Sequence, residues 1–196
     1  MSSGSRKLPP PDWDRLGPLS ESLLERRSVR SYSTETITEE DLSLLLASAC
    51  GISDPVNGLR TAPSGGATYP LDLYVVSETG VEEYVPEDHS LVVIKEGDTR
   101  SSLAHHSYRQ SFIARAPVTF VICADYPRIT SRYRDRGIRY AILEAGHIAQ
   151  NIHLACVSLG YGSVAVGAYD DDDVANALGI EGRGHVIYLV TAGKPG

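Results

Sequence analysis

The stretch RYAILEAGHIAQNIHLACVSLGYGSVAVGAYDD, residues 139–171, decides what kind of domain this chain forms. Its apolar residues recur at helical spacing back to Gly137 and on to Leu159, the longest such pattern in the sequence. Ala141, Ala145, Gly146 and Ala149 give that helix a flank of small residues, so another helix can approach closely in a domain core or a subunit interface. Past Gly160 the pattern changes: residues 163–167 read as a strand, and Asp170 caps a short helix within DDDDVANAL. Residues 160–165 carry the letters of a dinucleotide fingerprint, but that motif must follow a strand and open a helix. Here the segment leaves a helix and enters a strand, so the letters have no such meaning.

Working outward, residues 117–125 form a continuous run of β-branched and apolar side chains, the pattern of a central strand covered on both faces. Residues 100–114 before it read as helical. Residues 71–77, 81–85 and 91–94 are short β-rich runs with a hairpin at Thr79-Gly80, and residues 185–192 supply the last strand. Residues 53–70, rich in Gly, Pro, Ser and Asn, read as a long ordered loop, and loops of that length inside a compact domain are often functional. Upstream, a helical pattern runs from Ser20 to a basic cluster. Thr38 with Asp41 opens a second helix that turns Leu42, Leu45, Leu46 and Ala49 inward. Residues 1–17 form a Pro-rich arm, extended and either packed against a partner or loose, and residues 18–196 form one α+β domain.

A chain of 196 residues with 42% apolar and 22% charged residues can bury a core without disulfides or a structural metal. Its longest apolar stretches fall far short of the roughly 20 residues a membrane-spanning helix needs. The N-terminus lacks the apolar core of a secretory signal, and a cytoplasmic protein is expected. A formal net charge of -7 argues against nucleic acid as a partner, so any bound phosphate must be met by a local cluster. Cys50, Cys123 and Cys156 lie apart in apolar segments and read as buried thiols.

Two segments can carry chemistry. Arg26-Arg27-Ser28-Val29-Arg30 sets three guanidinium groups and a hydroxyl at a helix end, enough to bind a phosphate or a polyol, although basic residues there also suit the helix dipole. Residues 62–70, APSGGATYP, join two glycines that let backbone approach a flat ligand to prolines that stiffen the loop. His105-His106, His147 and His153 lack the companion ligands of a metal site, and Asp170 to Asp173 need only the helix cap to explain them. No Gly-x-Ser-x-Gly elbow, Cys-x-x-Cys pair or Walker loop occurs.

LPPPDW, ERRSVRSY, APSGGATYP, the 139–171 block and the terminal YLVTAGKP, taken in order, resemble successive blocks of the nitroreductase superfamily across nearly the whole chain. AGHIAQN together with PSGG resembles its SagB-type, azoline-oxidase-like branch. The resemblance implies a mixed, mainly antiparallel sheet flanked by helices in an interlocked homodimer, with FMN in each of two clefts at the interface. It places Arg26, Arg27, Ser28 and Arg30 on the phosphate, ribityl chain and pyrimidine edge. Pro63, Ser64 and Gly65 would cover the ring from the other subunit, and Gln110 or neighbouring Arg109 would meet the flavin. Backbone at Val166, Gly167 and Ala168 would lie beside its reactive edge.

Two departures from the family pattern bear on function. Many relatives carry a late basic pair for the phosphate, where this chain offers Lys194 alone. Azoline oxidases carry Lys-Tyr where this chain has Arg132-Tyr133, and arginine is a poor proton acceptor. The expected activity is ping-pong electron transfer through FMN, from a reduced donor for which NAD(P)H is the candidate to a small organic acceptor, with Tyr133 and Arg132 as candidate catalytic residues. Oxidation of peptide azolines and flavin binding without turnover stand as alternatives.

Overall fold

A computed structural model describes residues 4–196. In chain order the elements are β1 (Ser5–Lys7), α1 (Leu19–Glu25), α2 (Glu39–Cys50), β2 (Ile52–Asp54), β3 (Leu59–Arg60), β4 (Leu71–Val76), β5 (Gly80–Val85) and β6 (Ser90–Glu96). There follow α3 (Arg100–His106), α4 (Ser111–Arg115), β7 (Val118–Ala124), α5 (Tyr126–Tyr133), α6 (Arg136–Ser158), β8 (Gly162–Val166), α7 (Asp171–Leu178) and β9 (His185–Gly193). Seven strands make one sheet in the order β1-β6-β5-β4-β7-β9-β8, every neighbouring pair antiparallel.

The sequence VTFVICA explains why β7 is central. Its side chains alternate between two separate apolar layers: Val118, Phe120, Ile122 and Ala124 face α2 and α6, whereas Val121 and Cys123 face α3, α4 and α7. On the first layer α2 buries Leu42, Leu45, Leu46 and Ala49, and the Thr38 hydroxyl accepts from the Asp41 amide at 3.1 Å to cap it. Ala141, Ala145 and Ala149 of α6 are buried against this core, while Gly146 has open space beside it. The three cysteines are buried and unpaired, and burial pushes the Cys50 and Cys156 thiols up to about 12.

Four features differ from the sequence pattern. Residues 5–7 pair with β6, and Leu8 behind them is buried, so this part of the arm belongs to the chain's own sheet rather than lying loose or against a partner. The helix expected over residues 100–114 is broken, because Tyr108 and Arg109 adopt positive φ values of 52° and 60° between α3 and α4. The expected loop over residues 53–70 contains the small β2–β3 hairpin. Residues 126–133 form a helix, α5, with Pro127 in its first turn and Ile129 fully buried.

Candidate active site

The basic cluster leaves α1 at Arg26 and runs extended along the edge of the sheet. Ser28 bridges in parallel to Ser163 of β8, and the Val29 amide donates to the Ser163 carbonyl at 3.0 Å. This approach requires glycine at position 162, where an added Cβ would lie 2.6 Å from Cβ of Val29. Arg27, Ser28 and Arg30 are exposed and Arg26 is half-buried. Among the described residues none of the three arginines forms an ion pair with a carboxylate. Arg27 donates only to the carbonyls of Leu24 and Arg26, and the Arg30 guanidinium stands 6.0 Å from the centre of the Phe112 ring. Three guanidinium groups without counterions, in a chain of net charge -7, make a donor set chemically suited to an anion.

At the far end of β8 the structure joins two more of the expected residues. Gln110 Nε2 donates to the Ala168 carbonyl and to the Ser107 carbonyl, each at 2.9 Å, which leaves the Gln110 amide oxygen free to accept. Gly167 and Ala168 are exposed just past the end of β8, and Val166 is buried. Lys194 is turned inward instead: its ammonium donates to the carbonyls of Leu159 and Gly160 at the end of α6 and lies 4.3 Å from the centre of the Tyr161 ring.

The second cluster gathers around residues 63–66. Ser64 Oγ accepts from the Tyr69 amide at 2.9 Å, and Arg132 Nη1 donates to the Gly66 carbonyl at 3.0 Å. Tyr133 reaches the same turn, since a Cβ on Gly66 would sit 2.5 Å from its hydroxyl, and its ring meets Tyr140 edge-on at 5.1 Å. Arg132 and Tyr133 are thus brought to the loop, and Arg132 holds its backbone. Helix α6 carries the floor of both clusters, with Tyr140 and Glu144 under the loop and His153 under the basic run. At a rise of about 1.5 Å per residue, Glu144 and His153 stand roughly 13 Å apart along the helix.

Residues 23–194 match the family model described as the nitroreductase family. The chain belongs to that family. A Methanocaldococcus jannaschii protein that carries the nitroreductase name is 43% identical over 182 residues, covering 90% of each chain. A crystal structure from Ralstonia eutropha, also named for a nitroreductase, superposes with a TM-score of 0.90 at 29% identity, covering 98% of this chain and 90% of that one. The microcin B17-processing protein McbC of Escherichia coli is 29% identical over 150 residues, which span 71% of this chain and 55% of McbC. The relation to McbC agrees with the azoline-oxidase-like branch indicated by AGHIAQN and PSGG.

Two buried groups of this chain escaped the sequence reading, in which His153 only lacks the companions of a metal site and Glu144 has no role. His153 Nδ1 lies 2.7 Å from Ser163 Oγ, so Ser163 carries Val29 on its carbonyl and His153 on its hydroxyl. Burial, followed by the nearby Arg26 charge, lowers the imidazole from 6.5 to about 4, so it is neutral at pH 7. A base whose folded value is depressed contributes stability above its unfolded value and loses it as pH falls through 6.5 toward 4. The loss amounts to about 3 kcal/mol at most. Denaturant unfolding at pH 7.5 and 4.5 is expected to show that this share of the acid destabilisation disappears in His153→Leu. Equal pH dependence in the two proteins counts against a neutral buried imidazole.

Proposed function

We propose that this nitroreductase is an FMN-dependent oxidoreductase, working as a homodimer, that takes electrons from NAD(P)H and passes them to a small organic acceptor. The observation that carries the reading is the set of unpaired guanidinium groups at Arg26, Arg27 and Arg30, beside the exposed Ser28 hydroxyl. That donor set fits a phosphate with an adjoining polyol, and members of this family generally depend on FMN. When bound, FMN supplies the two-electron chemistry, and the chain governs binding, orientation and access.

On this reading Arg26, Arg27, Ser28 and Arg30 bind the phosphate, ribityl chain and pyrimidine edge. Gln110 offers its free amide oxygen, and backbone amides at Val166, Gly167 and Ala168 face the reactive edge. Lys194 joins only by leaving the α6 carbonyls. Pro63, Ser64 and Gly65 reach the cofactor from a second copy, which the separation along α6 favours. A second copy is also favoured by the exposed Leu19, Leu23 and Leu24 of α1 and Ile138, Ile142 and Leu143 of α6, two helices that pack together.

The relation to McbC favours a second reading, dehydrogenation of a peptide azoline, which removes a hydride and a proton. Arg132 is a poor acceptor for that proton, and Tyr133 at the Gly66 turn stands as a proton donor or a lid residue rather than as the base.

The test is an absorbance spectrum of the purified protein, followed by anaerobic NADH or NADPH. A flavin spectrum that bleaches supports the reductase. One that bleaches only with an azoline peptide supports the second reading, and its absence even after added FMN sinks both. In the double variant Arg27→Ala, Ser28→Ala, flavin occupancy is expected to fall, and full retention would refute the site assignment.

A further inference from the structure

The turn that follows Ser64 is held in unfavourable backbone conformations. Gly66, Ala67 and Tyr69 have φ values of 64°, 53° and 42°, a region that alanine and tyrosine rarely enter. Several contacts impose it. Thr68 donates its hydroxyl to the Gly65 carbonyl at 2.9 Å, Tyr69 donates its amide to Ser64 Oγ, and Arg132 binds the Gly66 carbonyl. Arg60 stacks on the Tyr69 ring at 4.6 Å. A turn fixed this way returns to easier conformations when one support weakens.

Glu144 lies directly beneath this turn. Its side chain faces the Ser64 hydroxyl and the Gly65 amide, it is 3% exposed, and its Oε2 has no hydrogen-bond partner. The charged and titratable groups around it are Arg60 of β3 and the Cys50 thiol of α2, with Asp72 and Glu87 lining the same small cavity as Arg60 and Cys50. Arg60 is already bound to Glu87 at 2.7 Å, so the nearest cation is shared and a carboxylate at 144 is poorly neutralised. No step of the proposed electron transfer uses this carboxyl.

We propose that Glu144 is the positioning residue of the loop over the active site: residues 64–67 close down on its carboxyl with uptake of one proton, and loss of that proton releases them. The consequence for catalysis rests on the reading of residues 63–65 as the cover of the cofactor, whereas the coupling of loop and proton does not. Burial, partly offset by Ser64, Arg60 and Gly65, raises Glu144 from 4.5 to about 7 with the turn closed. With the turn lifted the carboxyl meets water and returns toward its ordinary value. The closed state therefore binds the proton more tightly, is favoured at low pH, and weakens as pH rises from 4.5 through 7. Over that window the ratio of open to closed turn grows by up to about tenfold per pH unit, then levels off.

Amide hydrogen exchange over residues 60–70, corrected for the intrinsic effect of pH on exchange, reads this ratio in the full-length protein. Wild type is expected to show opening that rises more than about tenfold between pH 5 and 7 and flattens above. In Glu144→Gln, which cannot ionise, opening stays low and flat. A wild-type profile constant within about twofold overturns the proposal even where the variant fails to fold, and a Gln variant that follows the wild-type curve overturns it too. Failure to bind FMN would undo the proposed function while leaving this exchange profile standing.

Discussion

In the Gly162→Val variant the dissociation constant for FMN is expected to rise at least about 100-fold, equivalent to roughly 2.7 kcal/mol. The argument starts from backbone geometry. Gly162 opens β8 opposite Gly193, and any Cβ there enters the space held by the Val29 side chain, with contacts of 2.6 to 2.7 Å to three of its carbons. Val29 is the residue through which the basic run is pinned to Ser163, so displacing it moves Ser28 and Arg30 together. A phosphate site built from several donors is sensitive to such a shift, because each charge-assisted hydrogen bond depends on direction as well as distance. Valine itself suits a strand, so the sheet should survive the change. Titration of the variant with FMN, read by quenching of flavin fluorescence, checks this alongside a circular dichroism spectrum. A dissociation constant within about threefold of wild type, with the fold intact, would remove the basic run from the cofactor site.

How far the sequence reveals this protein depends on the range of the interactions involved. The nearly all-apolar, β-branched run of β7 announces its burial on both faces, and Thr38 announces the start of α2, because each depends on neighbours in the chain. By contrast, α5 reads YPRITSRY, whose apolar face of Tyr126, Ile129 and Tyr133 spans only two turns among polar residues, and its placement rests on Ile129 entering the core under the loop. The break at Tyr108 and Arg109 uses positive φ at two residues that do not advertise it. Strand β1 pairs with residues more than 80 positions away, so its own composition says nothing of the register.

The candidate site divides along the same line. Arg26, Arg27 and Arg30 are legible because guanidinium groups in a run are donors wherever they lie, and PSGG because glycine and proline constrain backbone locally. Glu144 is not legible. In the segment LEAGH a glutamate would ordinarily sit on the solvated side of an amphipathic helix, and only the packing of residues 64–65 onto α6 buries it. His153 is concealed for the same reason, since its partner Ser163 lies on the following strand. Both residues sit on one helix, and their expected responses to acid are opposite: protonation favours the closed turn at Glu144 and opposes burial at His153. A pH profile of the whole protein therefore mixes the two, which is why each test compares a variant with wild type.

Phe120→Ala is expected to lower the free energy of unfolding by about 3 to 5 kcal/mol, the range for removing a large aromatic side chain from a packed core. Phe120 is fully buried on the central strand, between Val75 of β4 and Val190 of β9 in register, and it faces the layer built from α2 and α6. Strands on both sides hold its backbone, and Leu45, Leu46 and Ile152 in the facing layer are themselves fully buried, so the cavity has little freedom to collapse. The melting temperature should fall by roughly 6 to 20 °C for a domain of this size. Val93→Ala on the partly exposed β6 near the sheet edge provides the contrast, with a loss nearer 1 kcal/mol. Urea unfolding followed by circular dichroism measures both. A loss below about 1.5 kcal/mol in Phe120→Ala would mean that the layer around β7 relaxes into the space.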